Sequence, residues 1–152
     1  LMPYINNYLK YYREDYDKVL TEKEFYLKIG GDFLRGKIDR INIKDNQAEI
    51  IDFKTNKVDN KNELIKYYKP QLELYANAVE KVMGIKVINA SILFLETGEM
   101  VEIDISNDIL NKNYNEIANF IEFVNKNSSI ETYERAKYCK KYCRYNIICN
   151  KD

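Results

Sequence analysis

Gly36-Lys37-Ile38-Asp39-Arg40-Ile41 and Ile50-Ile51-Asp52-Phe53-Lys54-Thr55 are divided by a single turn, Lys44-Asp45-Asn46-Gln47. Apolar residues alternate on both sides of that turn, the pattern of a β-hairpin. With Asp45-Asn46 as a two-residue loop, Lys44 faces Gln47 and the register carries back until Asp39 stands opposite Asp52. Opposed side chains in such a pair have Cβ atoms about 5 Å apart, and like charges there repel. Two carboxylates held that way call for a cation. Lys54 follows Asp52 by two residues and leaves the same face of its strand. Two acids and an ammonium on one face suit metal-assisted cleavage of a phosphodiester. The bland alternative is a solvated hairpin face, since an Asp-x-Lys triplet alone carries little information. Ile38, Ile41, Ile50, Ile51 and Phe53 argue against it, because they make the strands central, where an unpaired acid is costly.

Outward from the hairpin, apolar positions at helical spacing predict a helix over residues 4–20. Alternation from residue 22 to 29 predicts a strand that turns at Gly30-Gly31 into a second strand, residues 32–43. A third runs over residues 48–55. A helix is expected over residues 70–83, with Pro70 in its first turn, Gly84 as its stop, and Leu72, Tyr75, Ala76, Val79 and Val82 as its buried stripe. Residues 87–95 and 100–105 read as strands, and a helix capped by Asp108 reads through Val124. A helix crossing between strands three and four predicts an α/β (α+β) fold, a mixed central sheet flanked by helices.

The 152 residues suit a single domain, 1–152, with a cysteine-bearing tail over 131–152. Lys and Arg balance Asp and Glu at zero formal charge, so nucleic acid is not held by a basic blanket. A local patch from Lys54, Lys57, Lys61, Lys66 and Lys69 is the alternative to an ordinary solvated face. There is no histidine, which excludes histidine acid–base and nucleophilic schemes within these residues. No apolar run reaches membrane-spanning length and no signal peptide is visible. Three clustered cysteines do not make a secreted disulfide framework, which points to a reducing cytoplasm. The opening Leu1-Met2-Pro3 reads as the start of a piece cut from a longer polypeptide.

Gly-x-Ile-Asp-Arg-Ile, then Ile-Ile-Asp-Phe-Lys-Thr, then Tyr68-x-Pro70-Gln71-Leu72-x-Leu74-Tyr75-Ala76 come in an order and with gaps that resemble the RecB-like branch of the PD-(D/E)xK nuclease superfamily. The resemblance covers residues 20–105. It implies a restriction-endonuclease-like core and a DNA nuclease, an exonuclease acting at ends or on single strands, as the nuclease module of a DNA-repair helicase–nuclease. It implies that Asp39 and Asp52, with the Phe53 backbone carbonyl, ligate Mg²⁺ or Mn²⁺. Lys54 would polarise the attacking water. Gln71 and Tyr75, four apart on one helical face, would orient Lys54 or contact DNA, although a tyrosine at this spacing is more often core. Thr55 would support the strand end and touch phosphate.

One departure stands out. Many RecB-like nucleases carry a metal-ligating histidine ahead of the first motif, and this chain has none. Counting through the Gly30-Gly31 hairpin sets Glu24 opposite Lys37, on Asp39's side of the sheet, as a substitute ligand. Cys139, Cys143 and Cys149 are similar to the terminal cysteine set of [4Fe–4S]-bearing relatives, with a wider first gap and no fourth cysteine. The competing readings are a nuclease-inactive DNA-binding module and a metal-stapled interaction domain. The latter would leave Asp39 and Asp52 on opposite faces.

Overall fold

A computed structural model describes residues 2–133. Those residues fall into two compact units, one ending at Ala118 and one beginning at Asn119. The first carries a five-stranded sheet in sequence order: β1 (Lys18–Ile29), β2 (Asp32–Lys44), β3 (Gln47–Lys54), β4 (Lys86–Phe94) and β5 (Glu99–Glu102). Neighbours are antiparallel except β3 and β4, which run parallel. The parallel seam follows from the helix between them, α2 (Lys61–Ala78), since a parallel neighbour needs a crossover.

The central hairpin has the predicted register, with Lys44 opposite Gln47 and Arg40 opposite Ile51. Asp45 and Asn46 both have positive φ, 48° and 59°, as a tight hairpin turn requires. β1 is longer than its alternation implied. The N-terminal helix α1 (Met2–Leu9) stops early, and Lys18–Leu20, expected to be helical, pair with Ile41–Ile43. A strand partner on β2 outweighs local helical spacing there. Asp15 and Asp17 fasten the intervening segment to the hairpin turn, through Lys44 at 2.8 Å and the Asp45 amide at 2.9 Å.

The β1–β2 ladder skips Glu22 and Asp39. Glu22 takes a left-handed conformation, φ 51°, at a cost of about 1 kcal/mol or more. Alternation is broken as a result. Ile38 and Ile41 are both fully buried and line the same cleft as Ala78 and Val79.

α2 begins nine residues before the predicted start. Asn60 caps it by accepting from the Glu63 amide at 3.3 Å, and Pro70 lies inside it. Pro70 and Lys66 are both exposed, so the Lys66 carbonyl that Pro70 cannot serve is on the water side. At its C-terminal end the chain widens into one π-helical turn, Val79–Met83, stopped by Gly84 with φ 68°. That extra residue rotates Val82 off the buried stripe, leaving it 50% exposed, whereas Leu72, Tyr75, Ala76 and Val79 are buried as expected.

α2 covers one face of the sheet, where Tyr75 meets Phe25 edge-on at 5.8 Å. Each fully buried Leu or Ile there contributes about 1.5–3 kcal/mol. α1 lies on the other face. Tyr8 packs on Phe53 at 5.7 Å, and Asn7 and Tyr11 donate to the carbonyls of Leu95 and Gly98. A last helix, α3 (Asn107–Lys126), meets α2 through Asn77, which donates to the Leu110 carbonyl at 2.9 Å, and Asn113, which donates to that of Pro70 at 3.2 Å. In the second unit the Phe123 and Tyr133 rings meet edge-on at 5.4 Å.

Candidate active site

The β2–β3 ladder ends at Arg40–Ile51, one step short of the two acids. Asp39 is therefore outside both of its ladders, and its carboxylate accepts the Phe53 amide at 2.8 Å instead. This bond clamps the end of β3 and holds Asp39 beside Asp52, the residue that precedes Phe53. Asp52 is 1% exposed. Burial pushes its carboxyl above the ordinary carboxylate range; the Lys54 ammonium opposes that shift and the charge of Asp39 adds to it. Oδ2 of Asp52 lies 2.7 Å from Lys54 Nζ yet is aligned for no hydrogen bond.

Lys54, at the last position of β3, is itself held from α2. Its Nζ donates to Gln71 Oε1 at 3.1 Å, and Gln71 Nε2 donates to the Tyr75 hydroxyl at 2.6 Å. Burial raises the Tyr75 hydroxyl's pKa, with Gln71 opposing and the charges of Asp52 and Asp39 adding to the rise. Through Lys54, Asp52 is thus linked to the helix that carries Gln71 and Tyr75. A further residue belongs here that the motif reading left without a role. The Tyr68 ring lies 4.2 Å from Lys54 Nζ. Its signal was legible, since Tyr68, Gln71 and Tyr75 follow i, i+3, i+7 on one helical face.

Phe53 turns its ring to the opposite face, against Tyr8, and Thr55 follows the strand end, exposed. Glu24 does not join the acids. It stands opposite Lys37 as counted, but the break at Glu22 and Asp39 puts it on the face turned from Phe25 and Tyr75. There its carboxylate is 48% exposed and pairs with Arg35 at 2.8 Å. Cys139, Cys143 and Cys149 lie outside the described residues. Behind the sheet a cavity of about 420 Å³ is lined by Lys10, Arg13, Glu49, Ser91 and Glu102 among others, and none of the site side chains lines it.

The family model described as the PD-(D/E)XK nuclease superfamily matches residues 2–150. The chain belongs to the PD-(D/E)XK nuclease superfamily. Its PD-(D/E)XK sequence is 36% identical over 87 residues to an ATP-dependent helicase/nuclease subunit of Clostridioides difficile (strain 630). It is 38% identical over 72 residues to the protein of the same name from Carboxydothermus hydrogenoformans. Those stretches are 56% and 46% of this chain and 6% of each relative's length. A candidate exonuclease of known structure from Eubacterium rectale has the same fold, at a TM-score of 0.57 and 13% identity, over 99% of this chain and 66% of that one.

Asp52-Phe53-Lys54 has the residue types of a (D/E)XK triplet, with Asp39 ahead of it in the chain. The donor set fits a divalent metal: two carboxylates, one with a buried oxygen that no hydrogen bond serves, are hard ligands of the kind Mg²⁺ and Mn²⁺ take. Among the described residues no third His, Cys, Asp or Glu gathers with them. One ammonium against two carboxylates also leaves the site one negative charge in excess, which a divalent ion would reverse.

Proposed function

We propose that this domain is a Mg²⁺- or Mn²⁺-dependent deoxyribonuclease that works as an exonuclease at DNA ends or on single strands. The observation that carries this reading is the buried Asp52 oxygen beside Lys54, left without an aligned donor. Burying a charged oxygen with an open coordination position is costly unless a ligand uses it.

Asp39, Asp52 and the Phe53 carbonyl would hold the metal, which when bound supplies Lewis acidity and a more acidic water. Lys54 has two tasks: it holds the attacking water by donating to its oxygen, and it offsets the charge that builds on the phosphate as the new P–O bond forms and the leaving P–O bond breaks. Gln71 keeps the ammonium turned toward Asp52, and Tyr75 keeps Gln71 in place. Thr55, at the mouth of the strand end, donates to a phosphate oxygen of the DNA.

The relatives named as helicase/nuclease subunits support a setting in DNA repair, with a helicase in the same polypeptide or complex. Among the described residues no helix is long and apolar enough to cross a membrane, and three clustered cysteines favour a cytoplasmic setting.

The test is cleavage of end-labelled single-stranded and duplex DNA by the native chain in Mg²⁺ or Mn²⁺, against Asp52→Asn. Loss of cleavage with DNA binding retained supports the enzyme. One observation favours a second reading, a nuclease-inactive DNA-binding module: only two carboxylates gather at the site among the described residues. If the native chain binds DNA but cuts none in either metal, that reading replaces the first.

A further inference from the structure

Lys54 is enclosed on three sides. Asp52 Oδ2 lies at 2.7 Å, Gln71 Oε1 at 3.1 Å, and the face of the Tyr68 ring at 4.2 Å, leaving the lysine side chain 14% exposed. The amide accepts one hydrogen of the ammonium, and the carboxylate draws it from a second side as an ion pair. The ring closes a third against water, and an aromatic face attracts a cation most where solvent is excluded.

The ring is fixed in its turn. Its hydroxyl donates to Asn56 Oδ1 at 2.8 Å, which ties α2 to the segment that leaves β3. From outside, Tyr67, 70% exposed, packs edge-to-face on it at 5.0 Å and 80°. The segment after β3 is anchored again where the Val58 amide donates to Glu96 at 2.7 Å.

From this arrangement we infer that Tyr68 is a positioning residue for the nuclease reaction: its ring face holds the Lys54 ammonium in the one orientation that serves both Asp52 and the phosphate. The inference rests on the reading of the site as a nuclease. It assigns the work to the ring and makes the hydroxyl secondary, since the hydroxyl touches Asn56 and not Lys54. Without the ring, the ammonium keeps its ion pair with Asp52 and its hydrogen bond to Gln71 but gains freedom to swing toward solvent. A misdirected ammonium lowers the rate of the chemical step and leaves DNA affinity alone.

The experiment uses the whole 152-residue chain as wild type, Tyr68→Leu and Tyr68→Phe, each checked for an unchanged melting profile. Two readouts are taken: kcat and KM for Mg²⁺-dependent cleavage of a DNA oligonucleotide, and the NMR shift of the Lys54 Cε protons. Tyr68→Leu is expected to lower kcat about 2- to 30-fold with KM within about twofold, and Tyr68→Phe to restore kcat. The Lys54 Cε protons should be shifted upfield by the ring in wild type and Tyr68→Phe, and not in Tyr68→Leu. An effect on KM in place of kcat, or a Phe variant as slow as the Leu variant, overturns the inference. An unshifted Lys54 in wild type overturns it as well. Should the native chain cut no DNA, the nuclease reading fails by itself, and the proton shift still decides whether the ring holds the lysine.

Discussion

Asp39 and Arg40 are neighbours in β2 that serve opposite faces of the sheet, and both faces bury charge. Behind the sheet Arg40 is 4% exposed with no carboxylate paired to it among the described residues. Its Nε donates to Asn42 Oδ1 at 2.7 Å, its Nη1 donates to the Tyr8 hydroxyl, and the rings of Tyr8 and Tyr12 flank it at 5.7 and 5.6 Å. In front, Asp52 Oδ2 has the Lys54 ammonium at 2.7 Å but no aligned hydrogen bond. A buried cation clothed on every side is a bracket, here for α1. A buried anion left partly bare is a socket. Burial and charge do not tell the two apart; the state of the leftover bonding capacity does.

The largest expected effect is at the socket. Lys54→Ala should cost about 10²–10³-fold in kcat, measured on single-stranded DNA in Mg²⁺, with little change in Tm. If cleavage survives, the front face is as structural as the back and the contrast collapses. Arg40→Ala should do the reverse. Loss of two charge-assisted bonds and the packing of the stem should lower stability by about 2–4 kcal/mol in urea titration, with residual kcat near wild type well below Tm. A variant of normal stability but no activity would give the back face a functional part. Gln71→Ala should reduce kcat about tenfold, because Lys54 loses one of its fasteners and keeps Asp52. Asn60→Ala should remove about 1 kcal/mol of stability through the α2 cap and leave kcat unchanged.

Acidity sharpens the same contrast. The folded pKa of Asp52 is raised, so its carboxyl favours folding below the ordinary carboxylate pKa, and that favour is lost as pH rises through the raised value. A metal needs the ionised form. The gain in Tm from added Mg²⁺ should therefore be large at neutral pH and fade as pH drops through a value above the ordinary carboxylate range. A gain independent of pH across that window would remove Asp52 from the ligand set.

Much of the front face was legible in the sequence because it is local. Asp45-Asn46 sets the turn, the turn sets the register as far as Arg40–Ile51, and Asp39 reaches β3 one step further on through the Phe53 amide. Gln71 and Tyr75 followed from a four-residue spacing. What escaped depended on distant partners or single backbone angles. Glu24 was counted correctly into its pair but onto the wrong face, because nothing in an ordinary glutamate at position 22 announces a left-handed backbone. Val82 left its stripe through a π-helical turn, and Pro70 stayed inside α2 because its lost hydrogen bond falls on the water side. Lys18–Leu20 are helical by spacing and extended only because β2 is long enough to receive them.

The kink at Glu22 has an effect beyond the site. β1 forms one rim of the sheet, and a straight twelve-residue rim would be an open template for another chain's strand. With the left-handed residue in place, the rim is cut into two short runs, Lys18–Thr21 and Lys23–Ile29, dotted with exposed Lys18, Lys23 and Lys28. The same irregular backbone that takes Asp39 out of its ladders also shortens the stretch of rim that another chain's strand could extend.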